Sequence, residues 1–225
     1  MMRNVITLVL LAAQSPAVPA LLSFMNPPPK QPALHFRPGL PTDNPLIRQS
    51  MLEARMNPAF LKPEYFTIAE HPGPNAGTGR ATTAGFGQIR PILGTGGQVC
   101  ELASVYVLPA SRNQRIGSRI IARLVENFRA DKSRARQVPS SSQSVPTPRL
   151  VLLTLADTAP FYSPHGFLVL PDPVRAKPHL PMLFVLEYLA GSVVARLSRG
   201  PATKLVCMEL QEGGNSGRRA AKRTN

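Results

Sequence analysis

The sequence holds no tryptophan and only two cysteines in 225 residues, and 12 acidic side chains stand against 26 lysines and arginines. Two cysteines cannot build the disulfide framework on which small secreted scaffolds depend. No Cys/His cluster has the spacing of a zinc site, so no metal is expected. No apolar run approaches the roughly 18 residues of a membrane span, and none is expected in a mature chain. The shortage of acid leaves a net charge of +14, which raises nucleic acid as a partner. What is present is a chain 43% hydrophobic, long enough for one domain with extensions and apolar enough for a real core.

The charge is unevenly spread. Residues 1–42 carry +3, 43–111 carry 0, 112–149 carry +7, 150–211 carry +1 and 212–225 carry +3. The surplus therefore lies in both chain ends and one internal stretch. That distribution argues against a basic face spread over the whole fold, and no nucleic acid is expected as partner.

Residues 1–32 read as a leader and linker. Met1-Met2-Arg3-Asn4 precedes the apolar run Val5–Ala13 and the small residues near Ser15-Pro16-Ala17, the order of a targeting signal. The absence of acid also suits an organelle transit peptide. Pro27-Pro28-Pro29-Lys30-Gln31-Pro32 reads as a stiff polyproline spacer. The folded part is expected over 33–211. It opens with a short strand at Leu34–Arg37, then a helix near Pro45–Met56 capped by Asp43, with Leu46, Met51, Leu52 and Met56 as its apolar stripe and Pro58 as its end. Strands follow at Phe66–Ala69 and Gly85–Ile92, separated by the Gly/Pro/Thr-rich loop His71–Thr83, with a turn at Gly94–Gly97.

The informative centre begins at Val99: Leu102–Val107 reads as a β-branched and aromatic strand, with Glu101 just before it and Pro109 as its stop. Ile116, Ile120, Ile121, Leu124, Val125 and Phe128 then fall on one helical face. Asp131–Arg149, rich in serine and proline, reads as a mobile insertion. Leu150–Leu155 is a continuous apolar run, expected of a strand buried on both faces. A short helix follows through Tyr162, extended structure at Gly166–Leu170, a mixed apolar stretch at Leu183–Leu197 and a last strand at Lys204–Leu210. The basic stretch 212–225 reads as a disordered tail.

One unit carries chemistry. Strand, polar loop and helix N-terminus succeed one another from Val105 to Ile121, and the loop reads Arg112-Asn113-Gln114-Arg115-Ile116-Gly117-Ser118. A helix start offers unpaired amides and a dipole that favours anions, and a glycine permits close approach. By itself such a loop is more often a solvated turn. A second stretch, Ala159-Pro160-Phe161-Tyr162-Ser163-Pro164-His165-Gly166-Phe167, follows the buried strand.

Together the two stretches resemble the GNAT superfamily of acyl-CoA N-acyltransferases. The first is similar to its pyrophosphate motif, Arg/Gln-x-x-Gly-x-Gly/Ala, on Arg112, Ile116 and Gly117; the second is similar to its Phe/Leu-Tyr-x-x-x-Gly-Phe element, on Phe161, Tyr162, Gly166 and Phe167. With Phe36-Arg37 and Asp43 as opening strand and first helix, the resemblance spans about 33–210. Leu150–Phe167, Glu187-Tyr188 and Ala195-Arg196-Leu197 are similar to a cyanobacterial and plastid-type subgroup. Two residues depart from the pattern: Arg115 replaces the first motif glycine, and Leu155 replaces a frequent asparagine. If that glycine position needs a positive φ, arginine strains the turn; if not, its guanidinium adds a phosphate partner.

The resemblance implies an α/β (α+β) GNAT fold, a mixed, mostly antiparallel sheet with a splay between its two central strands and flanking helices. It implies an acetyl-CoA-dependent N-acetyltransferase acting on a primary amine by direct attack in a ternary complex. CoA then lies in the splay between Ser104–Val107 and Leu150–Leu155. Backbone groups of Val105 and Val107 pair with its pantetheine arm, the amides of Gln114, Arg115, Ile116, Gly117 and Ser118 hold the pyrophosphate, and Tyr106 and Asn113 complete the cofactor-binding stretches. Arg112 or Arg115 reaches the 3′-phosphate. Tyr162 protonates the departing thiolate, and Glu101 is a candidate base. The plain alternatives are a core tyrosine and a surface acid at a strand end. His165 reads as a turn residue, and Cys100 and Cys207 as apolar side chains rather than nucleophiles. A reading from another class is a non-catalytic, GNAT-like basic binding module. A monomer or homodimer is expected. The leader points to an organelle, with the plastid favoured and the cytoplasm as alternative.

Overall fold

A computed structural model describes residues 33–54, 56, 61–73, 81–137, 148–175 and 180–211. The targeting leader, Pro58 and the basic tail lie outside the described residues. Seven strands, β1 (His35–Pro38), β2 (Phe66–His71), β3 (Thr82–Pro91), β4 (Val99–Val107), β5 (Arg149–Leu155), β6 (Phe167–Val169) and β7 (Leu205–Leu210), form one sheet in the order β1-β2-β3-β4-β5-β7-β6. The pairs β1–β2, β2–β3, β5–β7 and β6–β7 are antiparallel. β4 and β5 are parallel over Val99–Arg149, Cys100–Leu150 and Glu101–Val151. The helices are α1 (Asn44–Glu53), α2 (Ile116–Gln137), α3 (Ala159–Tyr162) and α4 (Met182–Arg199). This is the mixed, mostly antiparallel architecture expected. By packing, the described residues divide into one unit within 1–89 and 103–127 and another within 90–102 and 128–225.

In the first unit, Ile47 and Met51 of α1 pack with Met56, Phe66, Ile68, Phe86 and Tyr106. Phe86 meets Phe66 edge-on at 5.7 Å and stacks on Tyr106 at 5.5 Å, geometries that suit the ring quadrupoles. The opposite face of β3 is cleared by glycine. A Cβ on Gly85 would stand 2.5 Å from the Tyr106 carbonyl oxygen and 3.0 Å from Ile120 Cδ1, and one on Gly87 would stand 2.9 Å from Leu124 Cδ1. These two glycines let α2 lie close, with Ile116, Ile120, Ile121, Leu124 and Val125 all buried, as their spacing predicts. α1 corrects the sequence reading in part: Met51 is buried as expected, but Ile47 is fully buried beside it and Leu52 is exposed. Asp43 places no side-chain cap on α1. Its carboxylate instead accepts from Arg37 Nη1 at 2.7 Å, Arg37 Nη2 at 2.9 Å and the Leu40 amide at 2.7 Å. Arg37 also donates to Glu70 at 2.9 Å. The Arg37 guanidinium holds the Asp43 carboxyl below its usual range.

In the second unit, the turn after β3 closes with the Ile92 amide donating to Val99 O at 2.9 Å. Leu150–Leu155 is buried throughout, as its unbroken apolar run predicts. Val151, Leu153, Leu155, Leu205 and Cys207 meet Phe184 and Ala195 of α4 in one core. The stretch Leu183–Leu197, left open by the sequence reading, is the body of α4. It ends where Gly200 takes φ +104 and its amide donates to Arg196 O, a conformation in which a side chain would be strained. A second correction concerns the insertion expected at 131–149. α2 runs on through Gln137 and β5 begins at Arg149, while 138–147 lies outside the described residues. Ala130 to Gln137 contain neither glycine nor proline, so nothing local breaks the helix.

Candidate active site

The loop after β4 is built from local constraints. Ser104, inside the strand, takes φ +53; its buried hydroxyl accepts from Gln88 Nε2 at 3.0 Å. A left-handed residue inside a strand turns the segment that follows, as bulges do. The Leu108 amide returns to Ala84 O at 2.9 Å, and Pro109–Ser111 forms a 3-10 turn closed by the Ser111 amide on Leu108 O at 2.9 Å. His71 Nε2 lies 3.1 Å from the buried Ser111 hydroxyl, bracing this turn. The sequence reading assigned His71 no role.

Arg112 follows, exposed. Its Nε donates to Val107 O at 3.3 Å, and its guanidinium lies 5.8 Å from the centre of the Tyr106 ring. Asn113 and Arg115 both take the left-handed conformation, at φ +63 and +57. The Arg119 amide on Arg115 O at 3.2 Å opens α2. Helix geometry leaves the amides of Arg115, Ile116 and Gly117 without an intrahelical acceptor, and left-handed residues beside them shape an anion-binding concavity. The question left by the motif's missing glycine has its answer: the position does need a positive φ, and Arg115 adopts it. The cost is about 1–2 kcal/mol.

Val105 and Tyr106 are buried and Val107 is half-buried. Gln114, Gly117 and Ser118 are half-buried, Asn113 and Arg115 exposed, and Ile116 is a core residue at the foot of the helix. The sequence-predicted cofactor residues thus lie together, in the first unit, along the end of one strand and the turn that leaves it.

Tyr162 and Glu101 lie in the second unit. Tyr162 closes α3 at 2% exposure, its ring edge-on to Phe161 at 5.3 Å and to Phe167 at 6.2 Å. The Tyr162 and Thr154 hydroxyls share a hydrogen bond. Burial outweighs that bond and pushes the Tyr162 pKa up to about 12. Gly166 takes φ +92 in the turn that follows, which explains the glycine of the Tyr-x-x-x-Gly-Phe element. Thr154 was missed by the sequence reading. The signal was available: a lone hydroxyl in an apolar strand buried on both faces needs a partner.

Glu101 does not precede the strand and is no surface acid. It lies within β4 at 1% exposure. Its Oε2 accepts from Arg90 Nε at 2.9 Å and Nη2 at 2.7 Å, while buried Oε1 has no hydrogen-bond partner. Glu187 of α4 stands 3.8 Å from Arg90. Burial disfavours the charge on Arg90, but Glu101 and Glu187 more than offset it, raising its pKa. Arg90 was also missed, although it and Glu101 are equidistant from the turn at Gly94–Gly97 and so face each other across a hairpin.

His165 is half-buried in the 3-10 turn Ser163–His165, and burial lowers its pKa. Burial raises the Cys100 thiol and pushes Cys207 to about 12, so neither is a ready thiolate. Among the described residues, no group of three or more His, Cys, Asp or Glu could hold a metal ion, and no helix is long and apolar enough to cross a membrane.

Residues 62–169 match the family model of the acetyltransferase (GNAT) domain. No curated protein matches the sequence. Among solved structures, N-acetylglutamate synthase from Neisseria gonorrhoeae, complexed with coenzyme A and L-arginine, is similar at 15% identity and a TM-score of 0.51. That likeness covers 80% of this chain and 34% of the synthase, so the chain spans about a third of the synthase's length. Rv2747 from Mycobacterium tuberculosis, in complex with CoA, is similar at 21% identity and a TM-score of 0.49, over 79% of this chain and 99% of that one. Ard1 from Thermoplasma volcanium is similar at 13% identity and 0.47, over 80% and 99%. The domain match and the likeness to the synthase agree with the sheet described above: the fold is that of GNAT domains.

Proposed function

We propose that the chain is an acetyl-CoA-dependent N-acetyltransferase that transfers the acetyl group to a primary amine by direct attack in a ternary complex. The observation that carries this reading is the Arg112–Arg115 turn. Two non-glycine residues hold left-handed conformations there, at the start of a long helix and inside the segment that matches the GNAT domain. Strain of this kind persists where the surroundings over-determine it, and ligand clamps are such places. Amides from Asn113 to Ser118 bind the pyrophosphate; Arg112 and Arg115 meet phosphate charge; backbone groups of Val105, Tyr106 and Val107 pair with the pantetheine amides as an added strand does.

In the reaction the neutral amine nitrogen attacks the thioester carbonyl, the carbon–sulfur bond breaks, and the thiolate takes the Tyr162 proton. The proton that nitrogen sheds on becoming an amide restores the phenol. A phenol with its pKa near 12 is fully protonated at neutral pH, as a general acid must be. Glu101 Oε1, the buried oxygen without a partner, receives the proton of the incoming ammonium. Positioning of amine against thioester supplies most of the rate. No covalent enzyme intermediate is required.

The test is transfer itself: thiol release from acetyl-CoA by the full chain across an amine panel. No release with any amine, despite CoA binding, would favour the alternative, a non-catalytic basic module, which Arg115 in a glycine position motivates. That module would bind nucleic acid with a steep salt slope lost on deleting 212–225. The acid-free leader and the plastid-type likeness of Leu150–Phe167 support a plastid destination; a fluorescent fusion of residues 1–45 that stays cytosolic would count against it.

A further inference from the structure

We infer that α4 is a self-association surface, covered in solution by α4 of a second copy of this chain in antiparallel orientation. A helix with one buried side normally turns a polar side to water. α4 does not. Phe184 and Ala195 anchor it in the core, yet Met182, Leu186, Leu189, Val193 and Leu197 are all exposed, Met182 at 79% and Leu197 at 82%. These five fall within one narrow stripe at 3.6 residues per turn.

The pattern of the stripe identifies its occupant. A two-fold interface is made of the same patch twice, so the patch must fit its own reversed copy. About a centre between Leu189 and Ala190, Met182 pairs with Leu197, Leu186 with Val193, and Leu189 with Ala190. Four of the five stripe residues therefore meet one another when a second helix runs antiparallel across them, and Leu189 meets the half-buried Ala190 at the stripe's edge. Ala190 at the centre admits the close backbone approach that helix packing favours.

Charge selects the same arrangement. The charges of α4 are Glu187, which stands by Arg90, and Arg196 and Arg199 in the last turn. Antiparallel pairing sets the two copies of Arg196 about 20 Å apart along the axis at 1.5 Å per residue, beyond the ~8 Å screening length of physiological salt. Parallel pairing would stack four arginines. The area is also sufficient: with the flanking Leu183 and Val194, the exposed fractions amount to roughly 700 Å² per copy, against the ~800 Å² per partner of a standard interface.

The inference stands independently of the proposed chemistry. Sedimentation equilibrium on the full chain should give a concentration-dependent mass rising toward twice 24.3 kDa, and Leu186→Glu with Val193→Glu should return it to the single-chain mass with the thermal transition retained. In case that variant fails to fold, cysteine cross-linking provides a second readout. Ala190→Cys, on the axis, should be captured as a dimer by a short bis-maleimide, whereas Arg199→Cys, about 28 Å from its symmetry mate at the same rise, should stay at the wild-type background. A single-chain mass at every concentration would overturn the proposal. So would a dimer that survives the double substitution, equal cross-linking at both positions, or a monomer that uses this face to bind vesicles.

Discussion

Replacing Arg115 by glycine separates two effects that the wild-type residue combines. At φ +57 the arginine backbone carries about 1–2 kcal/mol of left-handed strain, which glycine removes. Glycine restores about 0.5–1 kcal/mol of chain entropy to the unfolded state, so the net gain is about 0–1.5 kcal/mol. For a fold of this size that is a rise in Tm of up to about 6 °C. Affinity should move the other way. The exposed guanidinium contributes about 1 kcal/mol to a phosphate, discounted for solvent from the charged hydrogen-bond range, so Kd for acetyl-CoA should rise about fivefold, and less so at high salt. Arg115→Ala is the control, since it keeps the strain and loses the charge: the same loss of affinity without a gain in Tm. Thermal melts with and without acetyl-CoA, and calorimetry at two salt concentrations, read both quantities. An unliganded Arg115→Gly protein that melts several degrees below wild type would refute the strain argument. An affinity unchanged in both variants would remove the guanidinium from the phosphate site.

Tyr162→Phe should lower kcat by about 10²-fold or more while KM changes little, because only the proton donor is lost; equal turnover would leave Tyr162 a core residue. The same substitution tests the alkaline limit. Tyr162 binds its proton more tightly folded than unfolded, so its contribution to stability is complete below pH 10 and lost as pH rises toward about 12. Chemical denaturation between pH 9 and 11.5 should therefore show a steeper fall for wild type than for Tyr162→Phe. Glu101→Gln should leave Arg90 buried beside a neutral partner and lower both Tm and kcat; a lowered Tm with full kcat would make Glu101 purely structural. Gly85→Ala forces a Cβ toward the Tyr106 carbonyl at 2.5 Å and should cost about 1–3 kcal/mol, read as a loss of several degrees in Tm.

What was legible in the sequence depended on how many faces an element buries. α2 buries one stripe, so its 3.6-residue period stands out, and β5 buries both faces, so it reads as an unbroken run. α4 buries one side and exposes a second apolar side, which erases the periodicity that would have marked it as a helix. In α1 the expected stripe took in Leu52, which is exposed, and passed over Ile47, which is buried; the Asp43 carboxylate, expected as a cap, is held by Arg37. The two motifs gave the candidate site's residue types, and Gly166 marked the turn after α3. The left-handed conformation of Arg115 could not be read, since only a backbone records it. Arg90 and Thr154 needed pairing across strands to become visible: one through hairpin register, the other through the hydroxyl it shares with Tyr162.

The turn before α2 is proposed as a phosphate cradle for acetyl-CoA. Isothermal titration of the full chain with acetyl-CoA tests it most directly. Saturable one-to-one binding is expected, with Kd within the roughly 1 μM–1 mM span of enzyme substrates, and competition by CoA. No binding heat up to millimolar acetyl-CoA, from protein shown to be folded, would contradict it.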